Sequence, residues 1–277
     1  MRGVGAVMIR VAPPETAASA TGLPRGGAVV GILPHMAPNA PNTIERAMNI
    51  AILETGHPPE RLGGRFPSYG AMVEALIGDG HAFTGFDVTA GHWPEAPEAF
   101  DAFVITGSPA SVYDPTPWVE DLLAFLRDLD PSKKLVGLCF GHQALAQAFG
   151  GRVERSQRGW GLGLHAYTVA ERAPFMDEAE TIAIPVSHQD QVVALPPGAR
   201  VLAGSAFTPY GVLAWSDRPA LSFQCHPEFA PDYARALTDG HRAGVDDPAL
   251  VPAALASLEA PHDSARVGGW IRRFLRA

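Results

Sequence analysis

The sequence predicts an α/β fold: a single domain with a mostly parallel central sheet flanked by helices, plus a small antiparallel β portion. Three observations carry that prediction. Between Met48 and Leu138, short apolar runs alternate with helix-period stretches, the pattern that right-handed strand–helix–strand crossovers produce. The runs are almost uninterrupted in apolar residues, as in Ile50-Ala51-Ile52-Leu53 and Phe103-Val104-Ile105, which suits strands buried under helices on both faces. After Gly151 the texture turns to short strand candidates separated by Gly, Pro and Asp turns. With 277 residues, 47% of them hydrophobic and 18% charged, the chain has enough material for one large core.

Residues 1–47 differ from the rest. Pro13-Pro14, Pro24, Pro34, Pro38 and Pro41 interrupt an Ala/Gly/Thr-rich stretch whose one apolar run is too short and broken for a signal peptide. They read as a disordered extension upstream of a domain spanning residues 48–277, with Met48 as an alternative start of translation. Met48 to Gly56 predicts the first strand. Ser68 to Ile77 predicts a helix with Met72, Val73, Leu76 and Ile77 on one face. Strands follow at residues 83–88 and 103–106. Pro117, at a first helical position, opens a helix whose buried stripe is Trp118, Val119, Leu122, Leu123 and Leu126. Leu135 to Leu138 is a further strand. Short strands are then expected at residues 164–169, 181–186, 200–203, 211–215 and 220–224, and helices at 231–237, 251–258 and 264–275.

The chemistry concentrates in two stretches. Gly137-Leu138-Cys139-Phe140-Gly141-His142-Gln143 joins a buried strand to a helix beginning at Gln143 through a turn flanked by glycines. A nucleophile on such an elbow sits in a strained backbone, and the glycines remove side chains that would collide there. The N-terminal amides of the following helix point at the thiol and favour its thiolate form. In the second stretch, Phe223-Gln224-Cys225-His226-Pro227-Glu228, His226 and Glu228 are two residues apart. On extended backbone their side chains share one side and can hydrogen-bond, giving a base and the carboxylate that orients it.

The G-x-C-x-G-x-Q elbow and the His-Pro-Glu string resemble the two halves of the catalytic triad of class I (triad-type) glutamine amidotransferases. The likeness is nearest to the glutaminase half of GMP synthase and its stand-alone relatives, including the Pro58-Pro59-Glu60 that follows the first strand. It runs from about Met48 to Leu275. The resemblance implies a flavodoxin-like sheet, with Cys139 as nucleophile, His226 as base and acid, and Glu228 fixing the imidazole. It also implies an oxyanion hole from the Phe140 amide and from Gly107 or Ser108 of the Thr106–Asp114 loop. Gln143 and the Ser187-His188-Gln189-Asp190-Gln191-Val192 string match the residues that border the bound amino acid, so Ser187, His188 and Asp190 join the substrate site. Where the family usually has Gly or an aromatic residue, this chain has Cys225, whose strand position suggests a buried structural role.

The implied reaction is cleavage of the γ-carboxamide of glutamine through a Cys thioester, giving glutamate and ammonia. No Ser-Gly-Gly-x-Asp-Ser loop is present, so acceptor chemistry is expected on a separate synthetase chain. Alternatives are a stand-alone hydrolase of γ-glutamyl peptides such as glutathione conjugates, and a non-catalytic interaction module. The complete Cys139/His226/Glu228 set argues against the last. No cofactor or metal is expected, because a metal on His188, Asp190, His226 and Glu228 would compete with a free imidazole base. A net charge of −8 without a Lys/Arg cluster argues against a nucleic-acid surface. No apolar run approaches the roughly 18–20 residues that span a bilayer. Two cysteines in unrelated contexts give no disulfide framework and point to a reducing cytoplasm.

Overall fold

The structure, a computed structural model, describes residues 47–62 and 64–277; the expected N-terminal extension lies almost wholly outside the described residues. The strands are β1 (Asn49–Glu54), β2 (Ala82–Asp87), β3 (Ala102–Ile105), β4 (Lys134–Leu138), β5 (Arg152–Arg155), β6 (Gly161–Val169), β7 (Thr181–His188), β8 (Asp190–Ala194), β9 (Ala199–Gly204), β10 (Val212–Trp215) and β11 (Ala220–Phe223). The α-helices are α1 (Tyr69–Ile77), α2 (Pro117–Asp128), α3 (Phe140–Ala148), α4 (Pro231–Asp239), α5 (Leu250–Ser257) and α6 (Ser264–Arg276).

The main sheet has nine strands in the order β2-β1-β3-β4-β11-β10-β9-β6-β7. Strands β2, β1, β3, β4 and β11 pair in parallel and form the core predicted from the alternation. Strands β10, β9, β6 and β7 extend the same sheet in antiparallel pairing from β11, while β5 and β8 form a separate two-stranded ribbon. That ribbon was not visible in the sequence: Arg152–Arg155 buries only Val153, so it lacks an apolar signature.

The apolar runs are continuous because both faces are covered. Ile50 and Ile52 of β1 meet Ala102 and Val104 of β3 under Val73 and Ile77 of α1 and Val267, Trp270, Ile271, Phe274 and Leu275 of α6. Their neighbours Ala51, Leu53, Phe103 and Ile105 point the other way, onto Val119, Leu122 and Leu126 of α2 and Phe140, Ala144 and Leu145 of α3. Each fully buried aliphatic side chain contributes about 1.5–3 kcal/mol, and these two layers carry most of the fold's apolar core. Helix α1 starts where Ser68 accepts a hydrogen bond from the Ala71 amide, as a Ser N-cap should. Helix α5 lies against β6 rather than on the parallel core, its Val251 and Ala254 packing with Leu162.

Candidate active site

In a parallel sheet the strands end on one edge, and crevices at their carboxyl ends take ligands. Here the adjacent strands β1, β3, β4 and β11 end at Thr55, Thr106-Gly107, Cys139 and Gln224-Cys225-His226, so residues far apart in sequence meet at one place.

Cys139 is the one non-glycine described residue with positive φ (φ 49°, ψ −98°), immediately before α3. Such a conformation costs on the order of 1–3 kcal/mol. The surroundings enforce it: the Cys139 amide donates to the Phe223 carbonyl at 2.8 Å and the Gly141 amide to the Thr106 carbonyl at 3.1 Å. The elbow glycines have a packing role. A Cβ on Gly137 would lie 2.5 Å from the Gly141 carbonyl oxygen, and one on Gly141 would lie 2.3 Å from that of Ile105. Helix α3 begins at Phe140, three residues earlier than the apolar spacing suggested, because its first turn is the elbow itself. The Phe140 amide therefore sits at a first helical position with no carbonyl one turn back to receive it. Its side chain packs away from the site, on Trp118.

His226 Nδ1 and Glu228 Oε1 are 2.8 Å apart and both residues are buried. The imidazole lies flat on Phe229 (3.9 Å between centroids, 7° between planes), and Phe229 is backed by Tyr69 and Tyr233. Burial alone would push the His226 pKa down, but the charges of Cys139 and Glu228 outweigh it and raise the pKa well above that of a free imidazole. The second Glu228 oxygen is buried with no hydrogen-bond partner among the described residues, so His226 is the carboxylate's one neutralising contact there.

The other predicted residues surround the thiol. Gly107 has no room for a side chain: a Cβ there would stand 2.9 Å from His226 Cε1 and 3.8 Å from Cys139 Cβ. The Gly107 carbonyl accepts hydrogen bonds from the hydroxyls of Thr55 (3.0 Å) and Thr106 (3.2 Å). A trans peptide carries its N–H opposite its C=O, so this anchoring turns the Ser108 amide away from Thr55. Gln143 Nε2 donates to the Asp190 carbonyl (2.9 Å) and to Gln224 Oε1 (3.3 Å), leaving its own side-chain oxygen for a ligand. The Ser187 carbonyl oxygen is 4.0 Å from Cys139 Sγ, and its hydroxyl pairs with His241 Nε2 at 3.2 Å. His188 is buried, with Nδ1 3.2 Å from the Asp190 carbonyl and burial pushing its pKa down to about 3. Both Asp190 carboxylate oxygens are engaged by Ser111 and Tyr113.

Three contributions escaped the sequence reading. Gln224 Nε2 donates to Cys139 Sγ at 3.7 Å; its place two residues before His226, on the same side of an extended backbone, was the available signal. Thr55 holds the Gly107 peptide and carried no motif. Arg61, Trp160 and His241 also line the cleft, from three separate segments. The cleft encloses about 470 Å³ and is bordered by Cys139, His226, Gly107, Ser108, Gln143 and the 187–190 segment. Cys225 is fully buried and its thiol pKa is raised by burial and then by the Glu228 charge, in line with the structural role expected of it. Among the described residues no group of three or more His, Cys, Asp or Glu is arranged to hold a metal.

A cysteine on a strand–helix elbow beside a buried His–Glu pair, at the carboxyl edge of a parallel sheet, defines a class of α/β proteins suited to thiol chemistry. The family profile "Glutamine amidotransferase class-I" matches residues 75–237, more than half of the sequence. The chain belongs to the class I glutamine amidotransferase family. It is 32% identical over 191 residues to gamma-glutamyl peptidase 4 of Arabidopsis thaliana, covering 64% of this chain and 76% of that one. It is 39% identical over 129 residues to the glutamine-hydrolyzing GMP synthase of Thermus thermophilus, covering 47% of this chain and 25% of that one. The crystal structure of a glutamine amidotransferase from Thermotoga maritima shares the fold, with a TM-score of 0.65 at 20% identity over 83% of this chain and 96% of its own.

Proposed function

We propose that the protein is a cysteine hydrolase of γ-glutamyl amides, acting on γ-glutamyl peptides without a partner chain. The observation that carries this reading is Cys139 at the floor of an open cleft of about 470 Å³, beside a His226–Glu228 pair already hydrogen-bonded at 2.8 Å. Pockets of about 300–1,000 Å³ take drug-sized ligands, and glutamine alone is smaller than that. A cleft of that size, lined also by Arg61, Trp160, Leu237 and His241, has room for the leaving half of a peptide. The similarity to γ-glutamyl peptidases over most of their length points the same way.

In this reading Gln143 Oε1 accepts from the substrate's α-ammonium group. The Cys139 thiolate attacks the γ-carbonyl carbon, and the new oxyanion lies between the amides of Phe140 and of Ser108 or Gly107. The raised pKa of His226 keeps it protonated at neutral pH, so it can hand its proton to the leaving amine as the C–N bond breaks. Water then attacks the thioester. His226 takes the water's proton, glutamate leaves, and the thiolate returns with His226 again protonated.

A second reading, delivery of ammonia from glutamine to a synthetase on another chain, is favoured by the 39% identity to GMP synthase. The two separate on the purified chain assayed alone. γ-Glutamyl-peptide turnover exceeding glutamine turnover supports the first. Negligible release from both, with Cys139 still labelled by a glutamine-analogue electrophile, supports the second.

A further inference from the structure

Asp190 falls in the segment that borders the amino-acid pocket, yet its carboxylate faces a different task. Ser111 Oγ donates to Oδ2 at 2.5 Å and the Tyr113 hydroxyl donates to Oδ1 at 2.9 Å. Both donors lie in the 107–114 loop that presents Gly107 and Ser108 to Cys139. That loop is fixed firmly at two places. At its start, Thr55 and Thr106 hold the Gly107 carbonyl; at its end, the Ser111 amide bonds the Asp114 carboxylate at 2.8 Å and the Asp114 amide returns to the Ser111 carbonyl at 3.0 Å. Between them, Ser108 Oγ accepts from the Ala110 amide at 3.1 Å, and Pro109 packs against Gly56, where a Cβ would come within 2.9 Å of its ring. The 111–114 turn is a closed unit, and Asp190 ties that unit to the start of β8. Asp190 is anchored in turn: its carbonyl accepts from Gln143 Nε2 at 2.9 Å, and its backbone opens β8, opposite Arg155 of β5.

We propose that Asp190 is a positioning residue, an internal clamp that holds the oxyanion loop in register with Cys139 so that no partner chain is needed to order it. Two charge-assisted hydrogen bonds to one carboxylate fix the loop in both distance and direction, where one bond would leave a pivot. Releasing it lets Ser108 drift from the position the oxyanion occupies, and a misplacement of about 1 Å can lower a rate by about 100-fold. This rests on the γ-glutamyl hydrolase reading only for the kinetic part of its test.

The test compares wild type, Asp190→Asn, the Ser111→Ala/Tyr113→Phe pair, and all three changes combined. The clamp predicts a kcat for γ-glutamylglycine lowered about 10- to 100-fold in Asp190→Asn, with KM within about twofold. It predicts a similar loss in the Ser111/Tyr113 pair and little further loss in the triple variant, since all act through one contact. Alkylation of Cys139 by iodoacetamide, which needs no oxyanion hole, stays within about twofold. Hydrogen exchange at residues 107–114 speeds up at least tenfold in Asp190→Asn, a readout that requires no turnover. A raised KM with unchanged kcat would place the carboxylate on the substrate and overturn the proposal, as would additive losses or unchanged exchange in the loop. If wild type releases no glutamate, the hydrolase reading fails, and the exchange measurement still decides the clamp.

Discussion

Replacing Gly107 with alanine asks whether the loop and the triad are in the contact described. The Gly107 φ is not positive, so the backbone accepts alanine and the effect is steric alone. The new methyl would stand 2.9 Å from His226 Cε1, against about 3.5–4.0 Å for an unstrained carbon–carbon contact, so the two must part by roughly 0.6 Å or more. His226 cannot yield freely: it lies flat on Phe229 at 3.9 Å and is hydrogen-bonded to Glu228 at 2.8 Å. Either the imidazole turns off Glu228 or the loop lifts off Cys139. With about 100-fold lost per ångström of misplacement, the expected fall in kcat/KM is about 10- to 100-fold. Overpacking costs about 1–3 kcal/mol of stability, well within what a domain of this size tolerates. Glutamate release from γ-glutamylglycine and the urea midpoint measure the two effects separately. A Gly107→Ala protein with wild-type kcat/KM would refute the placement of the loop against His226.

The strained elbow gives an opposite sign: Cys139→Gly should be more stable than Cys139→Ala by about 1 kcal/mol, because glycine adopts φ 49° without strain. Equal urea midpoints for the two variants would contradict the strain. Glu228→Gln keeps the shape but removes the charge and the tautomer control, so kcat should fall about 10³-fold or more while the fold persists; loss of less than tenfold would remove Glu228 from the mechanism. Burial holds His142 and His188 neutral, lowering both pKa values from 6.5 to about 3. The unfolded chain then binds more protons below pH 6.5. Their stabilisation is complete above that pH and drains away as pH falls toward 3, by about 2 kcal/mol for each histidine at pH 5. His142→Gln, which can keep the hydrogen bond to Ser222, should make the fall in urea midpoint between pH 7 and 5 shallower than in wild type; an unchanged slope would show that other groups set it.

What the sequence made legible was whatever obeys a local period or a short motif. The runs of β1, β3 and β4 read correctly because burial on both faces writes an unbroken apolar string, and α2 announced itself through Pro117. Cys139, His226 and Glu228 stood out because an elbow and an i, i+2 pair leave fixed spacings. Contacts between distant segments left no such trace. Thr55, at the end of β1, reaches the Gly107 carbonyl at the end of the neighbouring β3 from 52 residues away, and Ser111 and Tyr113 meet Asp190 from nearly eighty residues away. Arg61 and His241 come together because Arg61, in the segment after β1, donates to the Ala236 and Leu237 carbonyls of α4. Asp190 was legible as a residue of the site and illegible in its role, since its partners follow from the tertiary fold.

The central claim is that Cys139 carries the γ-glutamyl group. Its most direct measurement is the mass of the protein rapidly acid-quenched during turnover of γ-glutamylglycine, followed by peptide mapping. Acyl transfer to this thiol predicts a gain of one γ-glutamyl residue on Cys139, none on the buried Cys225, and no adduct in Cys139→Ala. Glutamate release that persists in Cys139→Ala, or an adduct mapped to any other residue, would contradict it.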